Sequence, residues 1–186
     1  MVFLTNQGTD DHLIGNPKEL VPNQSYILEG TVASQPYHIP GGHVLIDIET
    51  RFGTVTCAAY EPSKEFRYTL DWLDPGDHIE VLGELRDEPR TLNIEKIHVI
   101  STADEYRKVS NPVCPGCGRT MKSKGAGQPY KCRECHTSSD EPVLEQVRRQ
   151  IVPGWYEPPT AARRHLSKPL KRMGLEQPVE FVNGRN

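Results

Sequence analysis

Cys114-Pro115-Gly116-Cys117-Gly118, answered by Cys132-Arg133-Glu134-Cys135, constrains this chain more than any other stretch. Two CxxC pairs flank a 14-residue spacer. Zn²⁺ favours four soft donors in a tetrahedron, and two CxxC knuckles supply them. Gly118 sits where such a knuckle needs a positive φ. The spacing therefore predicts a zinc ribbon with Cys114, Cys117, Cys132 and Cys135 as ligands. Four cysteines leave no open position for water, so the zinc is expected to be structural. Disulfides are disfavoured because no secretory pattern precedes them. A thioredoxin-type pair would explain one CxxC and not the other. Cys132-Arg133-Glu134-Cys135-His136 also fits the CxxCH haem pattern, which leaves Cys114 and Cys117 unexplained. His136 remains an alternative to Cys135 as ligand.

The bulk numbers favour small modules over one large core. Of the 186 residues, 35% are hydrophobic, with 15 Gly and 16 Pro. No apolar run approaches the roughly 20 residues that span a bilayer. A cytoplasmic chain with no membrane contact is expected. The net charge of −3 conceals a split. Residues 1–103 carry 7 Lys/Arg against 16 Asp/Glu, and residues 104–186 carry 15 against 9. Contact with nucleic acid is thus expected mainly in the second half.

Residues 25–103 read as a small β-barrel. Apolar alternation and turn signals mark strands at 25–32, 43–49, 54–59, 78–85 and 91–100, with a short helix at 65–72. Three strands, a helix and two strands is the chain order of an OB-fold. Gly30 falls inside the first strand, where a strand serving both halves of the barrel has to bend. Ligand contacts in OB-folds fall near strands two and three, which places Tyr37, His38, His43, Arg51, Phe52 and Tyr60 as candidates, each with packing as the competing role. Cys57 reads as a buried small hydrophobe.

The fold class expected is mainly β: a five-stranded OB-fold barrel, then a four-cysteine zinc ribbon, a short helix and a basic tail. The corresponding divisions are 1–24 as a leader or the end of a preceding domain, 25–103 as the OB-fold, 104–113 as a linker, 114–136 as the ribbon and 137–186 as helix and tail. Val143, Leu144, Val147 and Ile151 recur at helical spacing and predict an amphipathic helix, with Arg148 and Arg149 off its apolar face. The ribbon spacer is read as a hairpin carrying Lys122 and Lys124. In the tail, Trp155 and Tyr156 are aromatic platforms beside the basic run Arg163, Arg164, His165, Lys168, Lys171 and Arg172. Interleaved rings and cations suit bases and phosphates, so these ten residues are the nucleic-acid candidates. The competing role for the tail is packing, with Trp155 and Leu166 pinning it to the ribbon. No phosphate-binding glycine loop and no nucleophile–base pair is visible.

Three stretches together resemble a known family. They are Asn6-Gln7-Gly8-Thr9-Asp10, the ribbon, and the tail from Gly154-Trp155-Tyr156-Glu157-Pro158-Pro159 through Arg163-Arg164-His165-Leu166-Ser167-Lys168-Pro169-Leu170. The resemblance is to the C-terminal part, OB-fold plus zinc ribbon, of the archaeal tRNA(Ile) 2-agmatinylcytidine synthetase family, TiaS. It implies a ligase acting in tRNA modification, with ATP and agmatine used by the full-length enzyme, which conjugates agmatine to the wobble cytidine of isoleucine tRNA. It also implies tRNA as partner, and catalytic domains upstream in cis or on a separate chain. On this reading the chain is a tRNA-binding module that does not catalyse the reaction alone, and the ribbon scaffolds the basic tail. A protein-interaction adaptor in a larger nucleic-acid or lipid-enzyme complex is the alternative.

Overall fold

The computed structural model describes residues 4–178. The chain divides into two compact units, Met1–Ala103 with Arg149–Asn186, and Asp104–Arg148. In chain order the strands are β1 (Leu13–Ile14), β2 (Gln24–Val32), β3 (Tyr37–Ile39), β4 (His43–Thr50), β5 (Gly53–Ala59), β6 (His78–Leu85), β7 (Leu92–Ser101), β8 (Tyr106–Ser110), β9 (Tyr130–Lys131), β10 (Ser138–Ser139), β11 (Val143–Gln146) and β12 (Gly154–Tyr156). A short helix, α1 (Arg67–Asp71), lies between β5 and β6.

The first unit is the expected OB barrel. Strands β2, β6, β7, β5 and β4 form a closed ring, sealed by a β2–β4 pairing and a parallel β5–β7 pairing (Cys57↔Leu92). Alternation drives it: Tyr26, Leu28 and Val32 of β2 point inward, as do Ile46 and Ile48 of β4. Ile79, Leu92 and Ile97 are fully buried with them. Each such side chain contributes about 1.5–3 kcal/mol on leaving water. Gly30 marks the place where β2 pairs with both β4 and β6. A Cβ there would lie 2.6 Å from the Glu49 carbonyl oxygen, so only glycine permits the approach. The predicted helix at 65–72 is a 3-10 turn, Glu61–Phe66, running into α1, with Phe66, Leu70 and Leu73 closing the core.

Residues 4–24 are tied to the barrel and tail by backbone pairing. Strand β1 pairs in parallel with β2 (Leu13↔Ser25), and the preceding backbone bonds to the tail, Gly8 N to His165 O at 2.8 Å and Asp10 N to Leu166 O at 3.0 Å. The tail belongs with the barrel and not with the ribbon, contrary to the scaffold expectation. Strand β12 pairs antiparallel with β7 (Trp155↔His98), and Ile151 and Tyr156 enter the barrel core.

The second unit holds the ribbon. Residues 104–113 are not a bare connector, because β8 pairs antiparallel with β11. The helix predicted across Val143, Leu144, Val147 and Ile151 is absent. Its first two residues lie in β11, both exposed, and Ile151 is core to the other unit. Pro142 and Pro153 bound a window too short to hold a marginal helix, and β8 supplies the backbone partners that a strand needs. The spacer is a hairpin as expected: Lys122 and Lys131 exchange two backbone hydrogen bonds of 2.9 Å.

Candidate metal centre and candidate RNA-contacting surface

The knuckles are built by backbone hydrogen bonds that fold each CxxC on itself. Cys114 N donates to Arg119 O at 2.8 Å and Gly118 N donates to Cys114 O at 2.9 Å, with Gly118 at φ +70°. In the second knuckle Cys135 N donates to the Cys132 Sγ at 3.4 Å, and Cys132 N donates to Thr137 O at 2.9 Å. The four Sγ atoms then lie within 4.8 Å of one another. A tetrahedron with Zn–S bonds of about 2.3 Å has its sulfurs about 3.8 Å apart, so the donor set fits zinc in number, softness and spacing. Cys114 and Cys132 are buried beside Met121, and Cys117 and Cys135 face outward.

Ionisation of the set is divided. The Gly116 backbone N–H, aided by the Thr137 hydroxyl, holds the Cys114 thiol down at about 6. The Cys135 thiol is pushed up to about 12, first by its contact with the Cys117 side chain. Thiolates gathered this closely need a divalent cation to ionise together. His136 takes a left-handed conformation (φ 58°) and is not part of the cluster.

Cys57 stands apart from this chemistry. It is fully buried, with the thiol 3.8 Å from Val55 O, and burial followed by the Asp47 charge pushes its pKa up. It packs as a small hydrophobe.

The ten nucleic-acid candidates are divided between the two units. Lys122 and Lys124 are exposed in the ribbon hairpin. Trp155 stacks on His98, rings parallel with centroids 4.5 Å apart. Tyr156 is fully buried, and its hydroxyl donates to Val152 O at 2.8 Å. The platform expectation for Tyr156 is therefore corrected, since its ring is core. Burial also raises its pKa. Arg163 pairs with Glu157 at 2.8 Å and Arg164 with Glu84 at 2.7 Å, so half-buried carboxylates already engage two of the predicted cations. His165, Lys171 and Arg172 are exposed, and Lys168 is half-buried. Among the described residues, none of these four side chains lies within ion-pair distance of a carboxylate.

The barrel candidates are mostly engaged. His38 pairs with Asp71 at 2.8 Å, His43 accepts from Glu61 N at 3.0 Å, Arg51 lies 4.7 Å above the Phe52 ring, and the Tyr60 hydroxyl meets Thr91 at 3.0 Å. Tyr37 keeps an exposed ring.

Sequence reasoning missed the device that joins leader, barrel and tail. Lys96 of β7 is fully buried, and its Nζ donates to Asp10 Oδ2 at 2.6 Å and to Lys168 O at 2.7 Å. The other Asp10 oxygen accepts from Lys168 N at 2.6 Å. Beside it, His12 contacts Glu95 at 3.0 Å. The signal was the adjacent pair Glu95-Lys96, which interrupts the apolar alternation of β7.

An OB barrel followed by a four-thiolate ribbon defines a zinc-ribbon OB protein, here with the barrel completed by the segment that follows the ribbon. Residues 111–151 match the model for the TiaS C-terminal zinc ribbon domain. The chain is 48% identical over 178 residues to the isoleucine-tRNA 2-agmatinylcytidine synthetase TiaS of Archaeoglobus fulgidus, covering 95% of this chain and 42% of that protein. A crystal structure of apo TiaS superposes with a TM-score of 0.75 at 48% identity, covering 94% of this chain and 42% of the other. A crystal structure of TiaS in complex with its isoleucine tRNA and ATP gives 0.77 at 46% identity, covering 97% and 42%. The chain belongs to the TiaS family, with residues 111–151 as its zinc ribbon. It spans less than half the length of these relatives.

Proposed function

We propose that this chain is a tRNA-holding module of an ATP-dependent ligase that conjugates agmatine to the wobble cytidine of isoleucine tRNA. The observation that carries the reading is the likeness, over nearly the whole chain, to a protein crystallised with isoleucine tRNA and ATP. The chemistry is assigned to the part of the relatives that these 186 residues do not span, in cis or on a separate chain. Zinc holds the ribbon through Cys114, Cys117, Cys132 and Cys135 and takes no part in the reaction. ATP and agmatine belong to the full-length enzyme, and the compartment is the cytoplasm, where tRNA is modified. The described residues contain no helix long and apolar enough to cross a membrane.

RNA contact is assigned to His165, Lys171 and Arg172, exposed in the tail, to the half-buried Lys168, and to Lys122 and Lys124 of the hairpin. Trp155 offers its outer face for stacking. Gel-shift titration of the intact chain with isoleucine tRNA, without ATP or agmatine, tests this. Binding without ATP hydrolysis supports the module; ATP turnover by the pure chain, or no shift, rejects it.

A further inference from the structure

Residues 4–9 and 160–172 line an open cleft of about 530 Å³ on the barrel-and-tail unit. That volume accommodates one nucleotide. Its walls are fixed by the backbone bonds that tie Gly8 to His165 and Asp10 to Leu166. Gly8 adopts φ +65°, and a Cβ there would stand 2.8 Å from Arg172 Nη1. A bare backbone is thus what lets the guanidinium lie against the leader, with Nη1 3.5 Å from Gln7 O. Across the cleft the Gln7 amide nitrogen lies 3.5 Å from His165 Nδ1.

Among the described residues, no Asp or Glu lines this cleft. Arg163 and Arg164 contribute to it but are neutralised from behind by Glu157 and Glu84. Arg172 and His165 carry the uncompensated donors. In its wall, Arg163 Nε and Ser167 Oγ are buried without a hydrogen-bond partner, and Ser167 is 2% exposed. An amine or guanidinium ligand would find only like charge here. A second cleft on the same unit, of about 420 Å³, is lined by Glu29, Glu49 and Glu80 beside Arg51 and His78, so the absence of carboxylates is local and not a property of the whole unit.

We propose that this cleft is a phosphate-ester site, in which Arg172 and His165 hold the anionic oxygens and the Gln7 amide supplies a neutral donor. A guanidinium presents a planar fork that matches two phosphate oxygens. The source of the ester is a nucleotide unit of bound RNA or a free nucleotide; the first rests on the RNA-holding reading above, and the second does not.

Two measurements on the full chain separate these. In the first, the His165 ring is followed by NMR while CMP is added, with cytidine as the phosphate-free control. CMP is expected to move the ring signals, cytidine is not, and Arg172→Ala is expected to abolish the response. In the second, tRNA binding is measured over a range of salt for wild type and Arg172→Ala. Loss of one phosphate contact lowers affinity about tenfold and makes the salt slope shallower by about one. A slope change assigns the site to RNA backbone. A CMP response with an unchanged slope assigns it to a free nucleotide. If wild type binds no tRNA yet responds to CMP, the module reading fails and the site stands. A silent CMP titration together with an unaltered slope in Arg172→Ala overturns the site while leaving the module reading intact. Arg172 is exposed, so its replacement should leave the melting curve unchanged, which the same samples report.

Discussion

Lys96 and Asp10 decide whether the leader stays on the barrel. Removing a lysine from water costs several kcal/mol unless a partner holds its charge. Here the compensation comes from Asp10, whose own side chain retains 18% exposure. The two partners are therefore unequal. Asp10→Ala strands a cation in the interior and is expected to cost about 3–5 kcal/mol. Lys96→Met leaves a carboxylate that can reach water, and should cost less. Urea unfolding of both variants decides the point; an equal or larger loss in Lys96→Met contradicts the asymmetry.

Glu80 shows the opposite balance. Burial, only partly offset by His98, raises its pKa above the ordinary glutamate value. The folded state then holds its proton more tightly than the unfolded state, so this group's contribution to stability falls as pH rises through the interval between the two pKa values. Glu80→Gln should accordingly be more stable than wild type at neutral pH, with the difference shrinking as pH falls and nearly gone by about pH 4. Thermal melts at the two pH values check it, and a destabilised variant at neutral pH refutes it.

At the level of elements, the return of the chain to the barrel hinges on one arginine. Arg149 reaches both oxygens of Asp77, at 3.1 and 2.7 Å, and the carbonyls of Trp72 and Ala103. Asp77 is fully buried at the turn before β6, where it also accepts from Ala103 N. Arg149→Ala leaves that carboxylate short of its cation and should cost about 3–5 kcal/mol. Its neighbour Arg148 is exposed, so Arg148→Ala should change stability by less than about 0.5 kcal/mol. Chemical denaturation of the pair tests the contrast, and similar losses would defeat it.

These two arginines also show how far the sequence reaches. Strands β2, β4, β5, β6 and β7 were legible because half-buried strands alternate, and the zinc ligands because thiolate spacing is local. Segment 139–151 was not, because Val143 and Leu144 on one side and Ile151 on the other serve different units, and one apolar period was drawn through both. Tyr156 and Lys96 escaped for a related reason. A tail rich in Arg reads as solvated until its strand is seen to pair with β7, and a strand lysine reads as exposed until a leader is seen to cover it.

For the molecule as a whole, the two units draw on different sources of stability. The barrel has a continuous apolar core, while the ribbon gathers only Cys114, Met121, Cys132 and Tyr130 among the described residues. The ribbon's folding energy is thus expected to come from metal. Cys114→Ser should lose bound zinc and the amide dispersion of residues 104–148, while the barrel signals and its melting transition persist. A Cys114→Ser protein with native ribbon signals would show that zinc is dispensable there.

Contact with tRNA is proposed to run through cations that no carboxylate engages. It is tested most directly by filter binding of the intact 186-residue chain to isoleucine tRNA over a range of salt. Affinity is expected to fall log-linearly as salt rises, with a shallower slope when Lys168, Lys171 and Arg172 are neutralised together and little change for Arg163 or Arg164. An affinity flat with salt, or equally sensitive to Arg163 and Arg164, would contradict it.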